Sequence, residues 1–420
     1  MELIAKANKS FIQTEVGLLP EDWEVIKIGD VLEFKNGLNK AKEFFGQGTP
    51  IINYMDTFSH PGLKQEVIQG KVTLSKSEIR RFNVQKGDVF FTRTSETVNE
   101  IGISSVLEEE IKDGVFSGFI LRGRPKNDRL SIGFKRYCFS SNVVRKQIIS
   151  MATYTTRALT NGRQLSKVNL PVPKNENEQQ AIATALSDVD ELIRSLDVLI
   201  QKKEAIKKGT MQQLLTGKKR LSGFDGEWEV KALGDLGQAV IGLTYNSEDV
   251  QSHGTLVLRS SNIQNSQLAF DDNVYVSSKV SPEKYVQEGD ILICARNGSA
   301  RLIGKCAYID KKAEGSAFGA FMAVLRSNMG KYLYYAFQSD MIQQQINEHL
   351  GATINQITNK SLRSFEIPIP TDRKEQQAIA QFLTNMDEEL KALRRKREKM
   401  ARVKEGMMQE LLTGKTRLIK

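Results

Sequence analysis

The sequence has few of the residues from which metal, disulfide or membrane functions are usually inferred. It contains three cysteines and three histidines among 420 residues, which are too few and too scattered for a disulfide framework or a zinc site. No apolar run approaches the roughly 18 residues that a membrane-spanning helix needs. The N-terminal residues show no apolar core of the signal-peptide type, so we expect the chain in the cytoplasm.

Motifs for catalysis are also missing. No Asn-Pro-Pro-aromatic segment or glycine-rich loop follows a predicted strand, as an adenine methyltransferase would need for its base and its cofactor, and there is no Gly-x-x-x-x-Gly-Lys-Ser/Thr phosphate loop. The nearest approach to a nuclease cluster of carboxylates and lysine is EEEIKDG at residues 108–114, which we interpret as a charged turn. We therefore expect no catalytic site.

The charge is moderately basic, with 60 Lys and Arg against 50 Asp and Glu. Such an excess permits a nucleic-acid partner without requiring one. Residues 374–420 hold twelve basic and seven acidic residues, and thus half of the net charge of +10. The basic run LRRKREKMARVK at residues 393–404 could lie along DNA phosphates, or it could be the solvated or partner-facing side of a helix.

The most informative feature is a long segment that occurs twice. Residues 178–221 and 375–418 align without a gap, and 22 of the 44 positions are identical. Apolar residues recur at alternating spacings of four and three, which is the seam of a coiled coil. The seam residues are Ile182, Leu186, Val189, Ile193, Leu196 and Ile200 in the first copy and Ile379, Leu383, Met386, Leu390 and Leu393 in the second, where Arg397 then breaks the pattern.

Both copies have matching ends. A run containing prolines precedes each copy, and a proline marks a helix boundary because it cannot continue a helix inward. Both copies end in LLTGK, where Gly217 and Gly414 suit the left-handed residue that closes a helix. Each helix would have about 37 residues and a length of about 55 Å. If the copies pair, duplication favours a pseudo-twofold axis and an antiparallel arrangement; otherwise each is an amphipathic helix on its own domain.

The segments before the two helices are diverged repeats of each other. The only tryptophans, Trp23 and Trp228, lie in matching stretches, and residues 84–102 match residues 286–304. Between these anchors the sequences differ, and NYMDTFSHPGLKQEV has no evident counterpart in LRSSNIQNSQLAFDD. A shared framework with unlike inserts indicates two modules on one scaffold, each with its own specificity.

Each module is predicted to mix strands and helices. GDVFFTR, GDILICAR, GTLVLRSSNI and FGAFMAVLR are typical of strands, and helices are predicted near residues 134–150 and 331–350. The predicted fold class is α+β, with two mixed α/β domains joined by two long antiparallel coiled-coil helices in a pseudo-twofold internal repeat. The predicted boundaries are 1–175 for the first domain with its N-terminal segment, 176–218 for the central helix, 219–372 for the second domain and 373–420 for the C-terminal helix.

With these features together, the whole chain resembles the specificity (S) subunits of type I restriction–modification enzymes. The resemblance is carried by TEVGLLPEDWEVIKIGD, by LPVP and IPIP before EQQAIA, and by LLTGKKRLSGFDGEWEV. It implies that each module is a target-recognition domain for one half of a bipartite, asymmetric site in double-stranded DNA. It also implies that the helices set the gap and dock two modification (methyltransferase) subunits, and that this chain has no catalytic activity.

Cofactors follow only from that resemblance. S-adenosylmethionine would belong to the modification subunits, and ATP and Mg to the restriction (translocase and nuclease) subunits that join through the complex. The alternative function is a stand-alone bipartite DNA-binding protein or coiled-coil adaptor.

Ten polar residues are candidates for DNA contact because they follow matched strands or lie in loops. Arginine reads guanine and asparagine or glutamine reads adenine in the major groove, whereas phosphate contacts give register without sequence information. Arg93 and Arg296 follow the matched Gly-Asp strand in both modules, which favours phosphate contact or a framework role. Each candidate could also be a solvated loop residue. The candidates are Arg93, Arg157, Arg163, Arg259, Ser260, Asn262, Arg296, Arg301, Asn355 and Gln356.

Overall fold

The structure is a computed structural model that describes residues 10–154, 156–277, 279–350 and 355–418. It divides into two compact units: Met1–Asp197 together with Lys396–Lys420, and Val198–Arg395. Residues 1–9 of the predicted N-terminal segment lie outside the described residues. Each unit contains one of the two modules and one stretch of each long helix.

The first unit is built from short strands and short helices. Its strands are β1 (Phe11–Thr14), β2 (Gly17–Pro20), β3 (Trp23–Lys27), β4 (Leu32–Asn36), β5 (Phe45–Ile52), β6 (Gly62–Leu63), β7 (Lys71–Val72), β8 (Val89–Thr92), β9 (Thr94–Ser95), β10 (Ser104–Leu107), β11 (Val115–Phe116), β12 (Ile120–Pro125), β13 (Thr153–Tyr154), β14 (Ala158–Leu159) and β15 (Asn169–Pro173). Its short helices are α1 (Ile28–Val31), α2 (Tyr54–Ser59), α3 (Lys76–Phe82), α4 (Ile132–Cys138), α5 (Asn142–Met151) and α6 (Gly162–Leu165).

A mixed sheet of order β4-β12-β8-β10-β6 forms the centre of the first unit. A second sheet of order β11-β5-β7 has β11 parallel to β5, and a third has the order β13-β14-β9. Strand β15 pairs antiparallel with β3, which places Trp23 opposite Pro173. The proline run and the tryptophan stretch therefore meet beside the start of the first long helix.

The long helices are α7 (Glu176–Leu215) and α12 (Arg373–Leu411), with 40 and 39 residues. The second unit's other elements are the strands β16 (Trp228–Ala232), β17 (Gln238–Ile241), β18 (Val250–Gln251), β19 (Thr255–Leu258), β20 (Ile263–Gln264), β21 (Gln267–Leu268), β22 (Val274–Val276), β23 (Ile291–Cys294), β24 (Cys306–Tyr308), β25 (Ala317–Phe318), β26 (Met322–Arg326) and β27 (Glu366–Pro370). Its short helices are α8 (Leu233–Leu236), α9 (Gly330–Phe337), α10 (Asp340–Leu350) and α11 (Asn359–Ser364).

The second unit repeats the plan of the first. Its central sheet has the order β17-β26-β23-β24, and β25 runs parallel to β19 in a second sheet. Strand β16 pairs antiparallel with β27, so Trp228 lies opposite Pro370 as Trp23 lies opposite Pro173. The predicted α+β fold with a twofold internal repeat is confirmed.

Within each unit the stretch of α7 runs antiparallel to the stretch of α12. In the first unit Lys404 contacts Asp190 at 2.6 Å and Arg397 contacts Asp197 at 3.0 Å. In the second unit Lys207 contacts Asp387 at 2.6 Å, and Arg394 contacts Glu204 further along. Along each pair of contacts the residue number on α7 increases as the residue number on α12 decreases. The antiparallel prediction therefore holds in each unit.

The predicted seam residues are all buried or half-buried, but the first ones also belong to the module cores. Ile182 and Leu186 pack in the core of the first unit together with Leu411, the last residue of α12, and Leu412, which follows it. The second unit is equivalent, because Ile379 and Leu383 share a core cluster with the end of α7. The two interpretations of the helices therefore combine: each helix covers a module core and also packs against the other helix.

Several predicted elements are interrupted. Each of the two predicted helices is divided, the first where Ser141 caps α5 by accepting a hydrogen bond from the backbone N–H of Val144. The predicted strand FGAFMAVLR is also wrong, because a turn at residues 319–321 separates β25 from β26. Likewise GTLVLRSSNI is divided between β19 and β20. The Ser141 cap is local, whereas the break between β25 and β26 involves a backbone hydrogen bond from Gly319 to Leu258, which is distant in sequence.

Candidate nucleic-acid interface

A buried ion pair fixes the strand that leads to the candidate site in each module. Arg124 donates two hydrogen bonds to Asp88, at 2.9 and 2.7 Å. Arg326 binds Asp290 in the same way, at 2.9 and 2.8 Å. Both aspartates are almost fully buried, and a two-pronged Arg–carboxylate pair adds geometric specificity as well as energy. The Gly-Asp sequence therefore anchors β8 to β12 and β23 to β26.

A short turn in the first module connects β11 to the anchored strand β12 and ends in an exposed phenylalanine. At residues 117–119 the turn's N–H groups donate to the carbonyl oxygens of Ile52 and Leu38, at 2.9 and 2.7 Å. The carbonyl of Phe119 accepts a hydrogen bond from the N–H of Arg93 at 3.1 Å. Three segments distant in sequence thus hold this turn.

The second module has the same turn at residues 319–321. Its first N–H donates to the carbonyl of Leu258 at 3.0 Å, and the carbonyl of Phe321 accepts from the N–H groups of Ala295 and Arg296 at 3.0 and 2.9 Å. We call residues 117–119 and 319–321 the phenylalanine turns.

Two further loops lie against each phenylalanine turn, and we call the resulting surface the loop face. In the first module it consists of residues 38–40, 53–55 and 117–119; in the second, of residues 243–245, 259–261 and 319–321. The first of these loops approaches the phenylalanine turn closely. A Cβ on Gly37 or on Gly242, the residue before this loop, would lie 2.1 Å from a carbonyl oxygen of the turn. In the second module the loop face lines a cleft of about 540 Å³.

The middle loop shows that the module inserts share a backbone. The N–H of Asn53 donates to Asp56 Oδ2 at 2.8 Å, and the N–H of Arg259 donates to Asn262 Oδ1 at 2.9 Å. Asn53 and Arg259 also follow equivalent strands, β5 and β19. The two inserts, which differ in sequence, therefore share the backbone of this first turn, although the turn continues as the helix α2 only in the first module.

Side chains on the shared backbone differ between the modules. The middle loop carries Asn53, Tyr54 and Met55 in the first module, and Met55 is 60% exposed. The second module has Arg259 followed by two serines at residues 260–261. The first loop differs too, with Asn-Lys at residues 39–40 against Thr-Tyr at 244–245. The loop faces therefore have one geometry and two chemistries.

The two arginines that follow the Gly-Asp strands are not structurally equivalent, contrary to the sequence interpretation. The N–H of Thr160 donates to the carbonyl of Arg93, whereas in the second module Ile357 donates to Ala295. Arg296 is therefore one position further along and corresponds to Thr94. Because side chains alternate along an extended chain, Arg93 is half-buried against the turn and Arg296 is exposed.

The structure brings three other predicted residues to the surroundings of these arginines. Strand β14 pairs with β9, which begins directly after Arg93. Arg157, the residue before β14, is exposed, and its guanidinium lies 4.0 Å from the carboxylate of Glu96. In the second module Gln356 pairs with Arg296 in an isolated bridge, and Asn355 beside it is exposed.

Arg259 and Ser260 lie in the cleft of the second loop face. The guanidinium of Arg259 donates to Asp272 Oδ2 at 3.0 Å, and Asn297 Nδ2 donates to Ser260 Oγ at 3.3 Å. An arginine held by a carboxylate has a fixed orientation and still has donors for a base edge.

Three predicted residues lie elsewhere or have another role. Asn262 is fully buried, and its amide donates to the carbonyl oxygen of Ala269 at 2.9 Å, so the structure assigns it to the loop framework rather than to DNA contact. Arg301 lines a different cleft, which also includes Gln343. Arg163 is exposed on α6.

Phe119 and Phe321, which are 61% and 58% exposed, are not among the residues predicted from the sequence. The Arg296 guanidinium lies 5.3 Å from the centre of the Phe321 ring. The available signal was the matching pair of segments FSGF and FGAF, but reading the second as part of a continuous strand hid the turn.

The start of each copy of the duplicated segment is bound by the end of the other copy, which explains why the same glutamate and arginine occur in both copies. In the first unit Arg417, near the end of the second copy, donates to Glu178 at the start of the first copy and to Asp22. In the second unit Arg220 donates to Glu375 at 2.6 Å. Burial by itself would lower the pKa of Arg417, but its hydrogen bonds to the two carboxylates outweigh this and raise the pKa.

A second matched cluster lies further along each helix pair. Tyr137 donates to Asp190 at 2.9 Å, and Tyr335 donates to Asp387 at 2.8 Å. Burial is the main cause that raises the pKa of both tyrosines, so both hydroxyls stay protonated and can donate. The clusters attach each module to the long helices.

The basic run at residues 393–404 contributes several cations to these helix pairs. Arg397, which breaks the apolar seam, donates to Asp197 at 3.0 Å in the first unit. Arg394 pairs with Glu204 in the second unit, whereas Arg395 is exposed. Part of the run thus neutralises acidic residues of α7, and its contact with phosphates stays a prediction.

Within the described ranges, no group of three or more His, Cys, Asp or Glu side chains is arranged to hold a metal ion. No helix in the same ranges combines the length and apolar character needed to cross a membrane.

Comparison with protein families gives a match over most of the chain. A family model described as the type I restriction modification DNA specificity domain matches twice, over residues 20–208 and 225–400. The chain is 28% identical over 440 residues to a Methanocaldococcus jannaschii protein provisionally named the type I restriction enzyme MjaX specificity subunit, covering 98% of this chain and 97% of that protein. It is 28% identical over 202 residues to the EcoKI specificity subunit of Escherichia coli K12, covering 44% and 42%.

Solved structures show the same fold. The S subunit of a type I restriction–modification system from M. genitalium superposes with a TM-score of 0.56 at 17% identity, covering 93% of this chain and 96% of that one. A chain from a study of complex assembly and conformational transition of the type I system gives a TM-score of 0.58 at 17% identity, covering 94% and 99%.

Proposed function

Because the chain belongs to the family of type I restriction–modification DNA specificity subunits, we propose that its two loop faces read two different halves of a bipartite DNA site. The family is non-catalytic, and the activities of the complex lie in the partner subunits. The chain's own contribution is then to select the DNA sequence on which those partners act.

The observation that carries this proposal is the combination of one backbone with two sets of side chains. The middle loop leaves strands β5 and β19 in the same way, yet it exposes Met55 in one module and presents Arg259 in the other. Arginine suits guanine in the major groove, whereas an apolar side chain suits the methyl group of thymine. Two such faces on one chain favour an asymmetric site made of two unlike short sequences.

The proposed role of α7 and α12 is to set the gap between the half-sites and to dock two modification subunits. Exposed positions that are identical in both copies support docking, since the internal ion pairs do not require them. Gly209 and Gly406 are such a pair: a Cβ at either would meet nothing within 4 Å. A glycine inside a helix costs about 1 kcal/mol relative to alanine, so its presence in both copies favours close approach by the same partner.

The cofactors of the complex are part of the same proposal. S-adenosylmethionine is expected in the modification subunits, and ATP and Mg in restriction subunits that join through the complex. The rival function is a stand-alone bipartite DNA-binding adaptor. It would explain the loop faces, but it gives no reason for the exposed glycines to recur in both helices.

The test is single-molecule methylome sequencing of a host that expresses this chain with or without the modification subunit encoded beside it. We expect an N6-methyladenine motif of two unlike halves and a fixed gap, present only with both proteins. The variant Arg259→Ala should relax one half of the motif, with Arg363→Ala, an exposed arginine on α11 of the same module, as the control outside the loop face. A stable complex that produces no motif would favour the adaptor.

A further inference from the structure

Phe119 and Phe321 are exposed at the same place in two modules that otherwise differ strongly there. Their exposed fractions are 61% and 58%. A single exposed apolar side chain is ordinary on a protein surface and by itself indicates no function. The recurrence at a matched turn, beside loops whose side chains have diverged, indicates that both rings contact something when the protein functions.

The two rings are presented by a rigid backbone. The carbonyl of Phe119 accepts one hydrogen bond, and that of Phe321 accepts two, from the strand that the buried Arg–Asp pair anchors. Replacing Gly37 or Gly242 would force a Cβ to 2.1 Å from the turn. A side chain held on such a turn loses little conformational freedom when it binds, which favours affinity.

The surroundings favour DNA over a protein as the ligand of these rings. Two copies of one partner protein would meet the same residues in both modules, whereas the loops beside the rings carry different side chains. A cation lies beside each phenylalanine turn: Arg93 at the first, and Arg296, 5.3 Å from the Phe321 ring, at the second. Positive charge beside a projecting ring suits a polyanion with stacked bases.

We propose that Phe119 and Phe321 are apolar wedges, each of which inserts its ring at one base-pair step of its half-site. The wedges act in the same way in both modules and carry no base preference of their own, while the variable loop residues beside them read the bases. Separating a base step costs a few kcal/mol, which ring burial and stacking offset. Pyrimidine–purine steps deform most easily, so we expect one in each half-site. This inference rests on the proposed function.

The experiment uses the full chain in complex with its modification subunits, bound to a duplex that contains the methylated motif. 2-Aminopurine replaces single adenines along each half-site, and its fluorescence rises where a base is unstacked. Apart from the target adenine, which a methyltransferase flips out of the duplex, we expect one responsive step per half-site. Phe119→Ala should abolish this further response in one half-site only, and Phe321→Ala in the other. Each should weaken binding by roughly tenfold or more, the range of base–aromatic stacking.

Matched variants separate the wedge from other roles. Phe45→Ala and Phe270→Ala remove phenylalanines that are 41% and 37% exposed but lie outside the loop faces, and they should leave the fluorescence and the affinity unchanged. Phe119→Leu keeps an apolar wedge and should retain part of the response. Unchanged thermal unfolding of all variants would show that they are folded.

Three outcomes would overturn the proposal. The first is wild-type fluorescence and affinity in both alanine variants. The second is an affinity loss that occurs only when one defined position is thymine, which would mean a methyl contact. The third is loss of the modification subunits from the complex, which would mean a protein contact. Failure of the wild-type complex to prefer its motif would instead refute the proposed function, because that result does not involve the phenylalanines.

Discussion

At the scale of single residues, the two modules stabilise the same turn with related side chains. The middle loop of each face needs an acceptor for the first N–H of its turn, and Asp56 provides it in one module and Asn262 in the other. Burial raises the pKa of Asp56, although the N–H of Asn53 and the charge of His60 act in the opposite direction. The carboxylate is therefore the less suitable of the two acceptors at neutral pH.

This difference gives a prediction for Asp56→Asn. The folded chain binds a proton at Asp56 more readily than the unfolded chain does, so wild-type stability increases as the pH falls through the folded pKa. The amide has no charge to bury and keeps an oxygen for the Asn53 N–H. We expect the variant to unfold at a higher temperature than the wild type at pH 8, by no more than about 2 °C, and the difference to vanish in acid.

The reciprocal variant is the control for that measurement. Asn262→Asp places a carboxylate in a fully buried site and removes the donor to Ala269, which should cost about 2–4 kcal/mol at neutral pH. Thermal unfolding from pH 5 to pH 8 checks both. Equal behaviour of the two variants would contradict the assigned roles of these side chains.

At the scale of elements, the ends of the long helices are held by buried carboxylates rather than by apolar packing alone. In the first unit Glu178 is 1% exposed and accepts hydrogen bonds from Arg417 and from the indole N–H of Trp23. Within the described residues of the second unit, Trp228 Nε1 is buried without a hydrogen-bond partner. The ion pair is thus the feature that both helix ends share.

We predict that Arg417→Ala destabilises the chain by about 3 kcal/mol, because it leaves the Glu178 carboxylate buried with one partner fewer. The double variant Arg417→Met with Glu178→Gln should recover most of that loss, since it removes the charge and keeps an acceptor for Trp23. Urea unfolding measures both. Arg194→Ala is the control: its pair with Glu191 is exposed and should contribute less than about 0.5 kcal/mol.

At the scale of the whole molecule, neither unit is built from one continuous half of the sequence. The first unit needs Lys396–Lys420 from the second copy of the repeat. The first copy contains equivalent residues, because Leu214, Leu215 and Arg220 correspond to Leu411, Leu412 and Arg417. A chain of residues 1–222 therefore carries both the incomplete module and a segment that could complete another copy.

We predict that residues 1–222 form a homodimer in which Arg220 of each copy binds Glu178 of the other. With modification subunits the dimer should direct methylation to a symmetric site made of one half-site and its inverse. Light scattering after size-exclusion chromatography gives the mass. Glu178→Arg should yield a monomer, and adding Arg220→Glu should restore the dimer; a monomeric parent chain would contradict the exchange.

The sequence by itself determined the features that local pattern and duplication encode. Apolar spacings of four and three were enough to predict two long helices, and the repeated LLTGK predicted their ends: Gly217 and Gly414 have φ of +69° and +67°, the left-handed conformation that glycine adopts without a Cβ penalty. Matching anchors predicted two related modules, and the family follows from the same segments.

Only the tertiary structure decided where the loop faces lie and which side chains they present. The break before β26 depends on hydrogen bonds from the turn to residues distant in sequence, such as that from the N–H of Gly319 to the carbonyl of Leu258 at the end of β19. Burial of Asn262 and the one-residue offset of Arg296 have the same origin. Helix periodicity depends on residues that are close in sequence. Whether a loop residue is buried or exposed depends instead on pairing between strands that are distant in sequence, and the loop faces depend on that pairing.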